Sequence, residues 1–273
     1  MHRNPSFLLR ISVVLGLAAA LAGCPAVYPE VSTPLRAAVE GQALVPAPPP
    51  ELRFLTFRRA SIPALTRDGQ RWGSELSPSL PDPYAKLLLN GVEILRTTVQ
   101  RSTLAPTWPG APGGNFRIGP DDKLRIELWD ARVINDHPIG IRNMGKLDSD
   151  VDALPELDVE CESGARVVLG IEPAHGFIGY GLNYELRTYD AYVTKVLAES
   201  PAARGGILVG DRLEALDAKP VRTMDPLQLK NEFAVPRKDA MAVAVRHEDG
   251  SQVHVQLKLG AVYPLYSEYG AMK

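Results

Sequence analysis

The stretch Ser200-Pro201-Ala202-Ala203-Arg204-Gly205-Gly206-Ile207-Leu208-Val209-Gly210-Asp211-Arg212-Leu213 constrains this chain more than any other. Ser200 can cap a helix, and Pro201 suits the first turn, where its missing N–H would have no partner. Gly205 or Gly206 ends the helix in a left-handed residue, and Gly210-Asp211 then turns the chain into a strand over 212–216. Around this core, residues 175–263 read as strands mixed with two short helices. Residues 51–174 read differently. Strands over 52–57, 84–89, 115–118, 124–129 and 165–171 show apolar alternation or β-branched enrichment, with Gly, Pro, Asn or Asp between them. Recurrent short strands without helices point to an antiparallel sandwich. The expected fold is therefore mainly β, with a break near 173–176 and no internal repeat.

The second unit has further order. Tyr180-Gly181-Leu182-Asn183-Tyr184, a strand over 192–196, Asp225-Pro226-Leu227 opening a helix, and a hairpin of 241–247 and 253–259 around Asp249-Gly250 flank the helix-turn-strand. Together they resemble a PDZ domain of the bacterial type. The resemblance implies a small, partly open β-barrel with two short helices, in which a partner's extended C-terminal tail adds as a strand beside 182–185. It further implies that the amides of Gly181, Leu182 and Asn183 form a nest for the carboxylate, with Tyr180, Leu182 and Leu227 shaping the pocket for the terminal side chain. Gly181 is expected to be glycine so that the ligand can approach closely. Asn183 stands where many members have a second Gly, and Asn tolerates left-handed geometry better than most residues. This reading needs an open groove. The alternative is a PDZ fold used as a rigid docking surface that binds no free tail.

In the first unit, Asp82-Pro83-Tyr84-Ala85-Lys86-Leu87, Thr97-Thr98-Val99, Leu104-Ala105-Pro106-Thr107-Trp108, Leu124-Arg125-Ile126-Glu127-Leu128-Trp129-Asp130 and Asn135-Asp136-His137-Pro138-Ile139-Gly140 resemble a C2 domain in order and spacing. In that family, loop carboxylates gather around calcium, a hard cation that takes six to eight oxygens. Carried over by motif, Asp82, Asp130 and Asp136 match ligand positions, and Asp68 is a further candidate across an insertion. The chain departs from the family at Arg132, where another Asp is usual. Arg132 could pair with Asp82 or Asp130 and replace the metal as a charge-assisted fork. Calcium is thus a possible cofactor and a calcium-free sandwich the alternative. The 15 basic and 18 acidic residues of 51–174 give no net attraction to anionic lipid. The acidic run Asp148, Asp150, Asp152, Glu156, Asp158, Glu160 and Glu162 is most simply a solvated loop and strand face.

The chain opens with Arg3 and Arg10 and an apolar run over 11–22, too short to span a bilayer at roughly 20 residues per crossing. The run ends in Leu21-Ala22-Gly23-Cys24, which resembles the lipobox of bacterial lipoproteins. That implies a signal peptide over 1–23, a diacylglycerol on Cys24 with palmitate as an expected acyl group, and a lone thiol at Cys161. An ordinary secretory signal is the alternative. Pro25, in place of an Asp, favours the outer membrane of a Gram-negative bacterium. Residues 24–50 carry seven prolines and few large apolar side chains, so they read as a tether holding the folded part off the membrane. Residues 264–273 read as a C-terminal tail.

The 30 basic and 32 acidic residues leave no footprint for nucleic acid. There is no Gly-x-Ser-x-Gly, no His-Glu-x-x-His and no paired Cys motif, and the five histidines are scattered, so no enzyme is expected. The favoured reading is a membrane-tethered adaptor that binds an envelope protein through the PDZ unit, while the C2-like unit adds calcium, lipid or protein contacts. The alternative is a structural subunit of an envelope secretion or motility machine, with both units as fixed interfaces.

Overall fold

Two β-structured units follow one another in this computed structural model, which describes residues 27–28, 33–34, 48–74, 77–111, 113–145, 156–234, 237 and 239–266. Cys24 and the acidic residues 148, 150 and 152 lie outside the described residues. The chain first gives two two-residue strands, β1 (Val27–Tyr28) and β2 (Thr33–Pro34), which pair far away in sequence. The first unit then contains β3 (Leu52–Ser61), a small hairpin of β4 (Gly73–Ser74) and β5 (Ser77–Pro78), β6 (Pro83–Leu89), β7 (Val92–Arg96), β8 (Gly113–Arg117), β9 (Leu124–Asp130), β10 (His137–Gly145), β11 (Glu156–Glu160) and β12 (Arg166–Pro173). These form two four-stranded sheets in the orders β10-β9-β6-β7 and β11-β12-β3-β8, with all their pairings antiparallel.

Alternation explains the layer between the sheets. Along β9, Leu124, Ile126 and Leu128 are buried, and they meet Leu87 of β6 and Leu55, Phe57 and Leu169 of the facing sheet in one core. Trp108 closes one side of this core, with its ring edge-on to Phe57 and its indole N–H donating to the Thr98 carbonyl at 2.9 Å.

The second unit comprises β13 (Phe177–Gly179), β14 (Leu182–Arg187), β15 (Asp190–Val196), α1 (Pro201–Arg204), β16 (Arg212–Leu216), β17 (Lys219–Pro220), α2 (Pro226–Ala234), β18 (Met241–Arg246), β19 (Gln252–Leu257) and β20 (Gly260–Val262). Its main sheet runs β1-β14-β15-β16-β18-β19 and stays open; no closed barrel forms among the described residues. Ser200 caps α1, its Oγ accepting from the Ala203 amide at 3.2 Å, and Pro201 starts the helix. Of the two candidate stop residues, Gly206 takes the left-handed conformation (φ +81°) while Gly205 stays right-handed. Asp211, almost fully buried, holds the following turn by accepting from the Leu208 amide and pairing with His247 Nδ1 at 2.6 Å.

The units are joined through Asn115 on β8, whose side chain is buried. Its Nδ2 donates to the carbonyls of His175 (2.6 Å) and Pro264 (2.9 Å), and its Oδ1 accepts from the His175 amide (2.8 Å). Tyr266 packs beside Phe116, with ring centres 5.2 Å apart, and Leu265 bridges to Asn115. The start of the segment read as a tail thus lies on the first unit.

Candidate functional site

The segment that matches a PDZ carboxylate loop is built around Gly181. Its φ of +78° is a left-handed value that glycine adopts at little cost, and a Cβ there would lie 2.0 Å from Ser200 Cβ. Its carbonyl accepts from the Leu197 amide at 2.7 Å, and the Tyr180 carbonyl accepts from the Ala202 amide at 2.9 Å. The glycine is therefore required by the loop's packing against the cap of α1, a neighbour nineteen positions on (181 to 200). Asn183 lies within β14, paired with Lys195 and without a positive φ, so left-handed tolerance is not what admits it.

Tyr180, Leu182 and Tyr184 all point into the core and are at most 1 % exposed. Helix α2 seats on them. Leu229 and Phe233 face inward four residues apart, with Phe233 edge-on to Tyr180 (6.0 Å) and tilted against Tyr184 (5.1 Å). The space between β14 and α2 thus holds Tyr180, Tyr184 and Phe233. Tyr180 Oη has no hydrogen-bond partner among the described residues, and burial pushes its phenol above the ordinary range. Leu227, expected to shape a pocket here, is 64 % exposed because helical phase puts it off the inward face. Of the five proposed binding residues, the structure brings Tyr180, Gly181, Leu182 and Asn183 together and leaves Leu227 outside.

The outer edge of β14 is not the open groove that uptake of a partner's free tail needs, because the chain's own β1 covers it. Strand β1 pairs with it antiparallel, Val27 opposite Glu185 and Tyr28 opposite Tyr184. Strand β2 pairs with β13 in the same sense, Thr33 opposite Ile178 and Pro34 opposite Phe177. Parts of the proline-rich segment read as a spacer therefore run beside both strands that flank the Gly181 turn.

At one end of the first unit, β6 starts, β9 ends and β10 starts side by side, with Pro83 and His137 both opposite Asp130. This gathers Asp82, Asp130 and Asp136, but each carboxylate already has protein partners. Asp130, 4 % exposed, accepts from the Asp82 amide (2.8 Å) and from Arg132 Nε (2.9 Å), with Arg132 Nη2 also at 2.9 Å. Asp82 accepts from the Ser102 amide at 2.7 Å. Asp136 accepts from the Arg132 amide and from Tyr84 Oη, and these bonds lower its pKa. The Tyr84 phenol is pushed up to about 12, first by its burial and then by Asp136. Asp68 sits exposed in the 66–70 turn, beside a cleft that it lines with Arg67, Arg71 and Arg132. Among the described residues, no three His, Cys, Asp or Glu side chains gather closely enough to hold a metal ion. Five oxygens tied to amides, a phenol and a guanidinium do not fit a cation that needs six to eight oxygen ligands.

The same end carries Val133 and Ile134, an apolar pair at a loop tip, 104 % and 88 % exposed. Their adjacency in an otherwise polar loop was the signal in the sequence. Cys161 is buried below Gly140, and desolvation raises its thiol to about 11.

Residues 67–160 match the C2 domain family and residues 192–231 match a PDZ domain family. The chain is mainly β, with a C2 domain followed by a PDZ-like region. Among solved structures it is similar to "Structure of a C2 domain" (17 % identity, 44 % of this chain and 97 % of that one, TM-score 0.33). It is also similar to a C2 domain of plant Extended Synaptotagmin 1 (17 %, 46 % and 96 %, TM-score 0.34). A third is a calcium-bound pair of C2 domains from Extended-Synaptotagmin 2 (15 %, 77 % and 85 %, TM-score 0.35). No curated protein matches the chain.

Proposed function

We propose that this chain is a non-enzymatic adaptor, anchored in the outer membrane by lipid on Cys24, whose PDZ-like region takes up an extended segment of an envelope protein. The observation that carries the reading is the pairing of β1 on β14: this edge accepts an added antiparallel strand, the backbone mode by which such folds bind peptides. The C2 domain contributes lipid or protein contacts through Val133 and Ile134, and the pairing of its loop carboxylates with Arg132, Tyr84 and backbone amides supports a calcium-free sandwich.

The test is a peptide array probed with the full chain from residue 24, carrying Cys24→Ser, followed by amide exchange of each complex. Binders that add protection at residues 184–186 support the adaptor, whereas binders that protect only other surfaces retire it. Loss of membrane retention in cells on Cys24→Ala is expected, and retention would refute the anchor. For the C2 contact, V133D/I134D is expected to reduce co-sedimentation with vesicles while leaving stability unchanged.

A second reading, a structural subunit of an envelope secretion or motility machine with both units as fixed interfaces, is favoured by the buried Asn115 junction. It predicts that no peptide protects 184–186 at all.

A further inference from the structure

The strand on β14 comes from inside the chain. Tyr28 is followed by Pro29 and the chain continues through Thr33–Pro34 onto β13, so the occupant passes the Gly181 turn without ending there. A free carboxylate plays no part in how this segment is held. From this we infer that the β13–Gly181–β14 edge recognises internal extended segments, and that Val27–Tyr28 and Thr33–Pro34 are its resident ligand, which a partner must displace. The inference rests on the adaptor reading and specifies the ligand class.

Three features of the segment support the role. Both pieces run antiparallel to their partners, which lets one continuous chain follow β14 and then β13. Each piece is only two residues long, too short to be held irreversibly by backbone pairing. In addition, Pro34 has no N–H, so Thr33 is the sole possible amide donor of β2. Such a segment is a weak ligand made effective by attachment, since a linked sequence acts at an effective concentration in the millimolar range.

Occupancy also sets reach. Cys24 lies three residues before Val27, so with β1 paired an acylated Cys24 would sit within ~10 Å of the β14 edge. Released, the 25 residues from Cys24 to Pro48 would span about 70 Å at ~3 Å per residue. Partner binding and extension from the membrane would then be one event.

The experiment compares the full chain (Cys24→Ser, from residue 24) with the same chain carrying V27P/Y28P/T33P. The triple substitution removes every N–H that β1 and β2 can donate. The probe is the peptide of residues 25–36, acetylated and amidated, read by fluorescence anisotropy and amide exchange. Protection at residues 184–186 is expected in the unsubstituted chain, at least ~10-fold weaker in the triple variant, and restored by the peptide. The peptide is expected to bind the variant at least ~10-fold more tightly than the unsubstituted chain, with no gain from a free carboxylate. Equal binding to both proteins, no binding to the variant, or unchanged exchange at 184–186 would overturn the inference. A strict need for a free carboxylate would overturn it too while leaving the adaptor intact. If neither this peptide nor any array binder protects 184–186 in either protein, the adaptor reading falls as well.

Discussion

Replacing Asn115 with alanine tests the junction between the two units. The side chain makes three hydrogen bonds of 2.6, 2.9 and 2.8 Å in a site where the residue is 4 % exposed. Each bond contributes about 1 kcal/mol net, so losing all three should cost about 3 kcal/mol. For a chain of this size that corresponds to a fall in melting temperature of roughly 6–12 °C. The assay separates the units, because Trp72, Trp108 and Trp129 all lie in the first one. Tryptophan fluorescence in urea therefore reports the C2 domain, and amide exchange along β14 to β18 reports the PDZ-like region. In the native chain the two transitions should coincide; in Asn115→Ala they should separate. A loss below about 0.5 kcal/mol with coincident transitions would refute the argument that this side chain couples the units.

Gly181→Ala must place a Cβ 2.0 Å from Ser200 Cβ at a φ of +78°, and left-handed strain plus overpacking should cost about 3 kcal/mol in urea unfolding; a neutral result would contradict the packing described. Glu214 is held down to about 2 by hydrogen bonds from Arg246 and Arg212, well below its ordinary 4.5. Because the folded pKa is the lower one, its stabilisation is present above about pH 4.5 and lost as pH falls towards 2; Glu214→Gln should flatten that part of the stability profile, and an unchanged slope would count against it. The Cys161 thiol, buried and raised to about 11, should react with a thiol reagent at about pH 8 only after denaturation, whereas rapid native-state labelling would show it accessible.

The legible parts of this fold were those that local chemistry dictates. Ser200, Pro201 and the glycine stop identified α1 because capping acts within one turn. Alternation at Leu124, Ile126 and Leu128 identified β9 because one face of that strand is buried. Parts decided by distant neighbours were not legible. Strands β1 and β2 have two residues each, below the length at which periodicity registers, and they form only because an edge elsewhere receives them. The need for glycine at 181 comes from Ser200, a packing clearance that the local sequence does not display. Leu227 was placed by its position after Asp225-Pro226, whereas the helix directs Leu229 and Phe233 inward. At the calcium-like loops the substitution at Arg132 was visible, but the further capture of Asp82 by Ser102 and of Asp136 by Tyr84 needed coordinates.

The most direct test of the β14 edge as the recognition site is a reversible lock. Val27 and Glu185 are paired across an antiparallel ladder, a separation compatible with a disulfide, so V27C/E185C in the Cys24→Ser chain can fasten β1 in place. The measurement is the affinity for a peptide that protects residues 184–186, taken before and after reduction. Affinity at least ~100-fold weaker in the oxidised chain, recovered on reduction, is the predicted result. An oxidised chain that binds the peptide as tightly as the reduced one would place recognition elsewhere on the molecule.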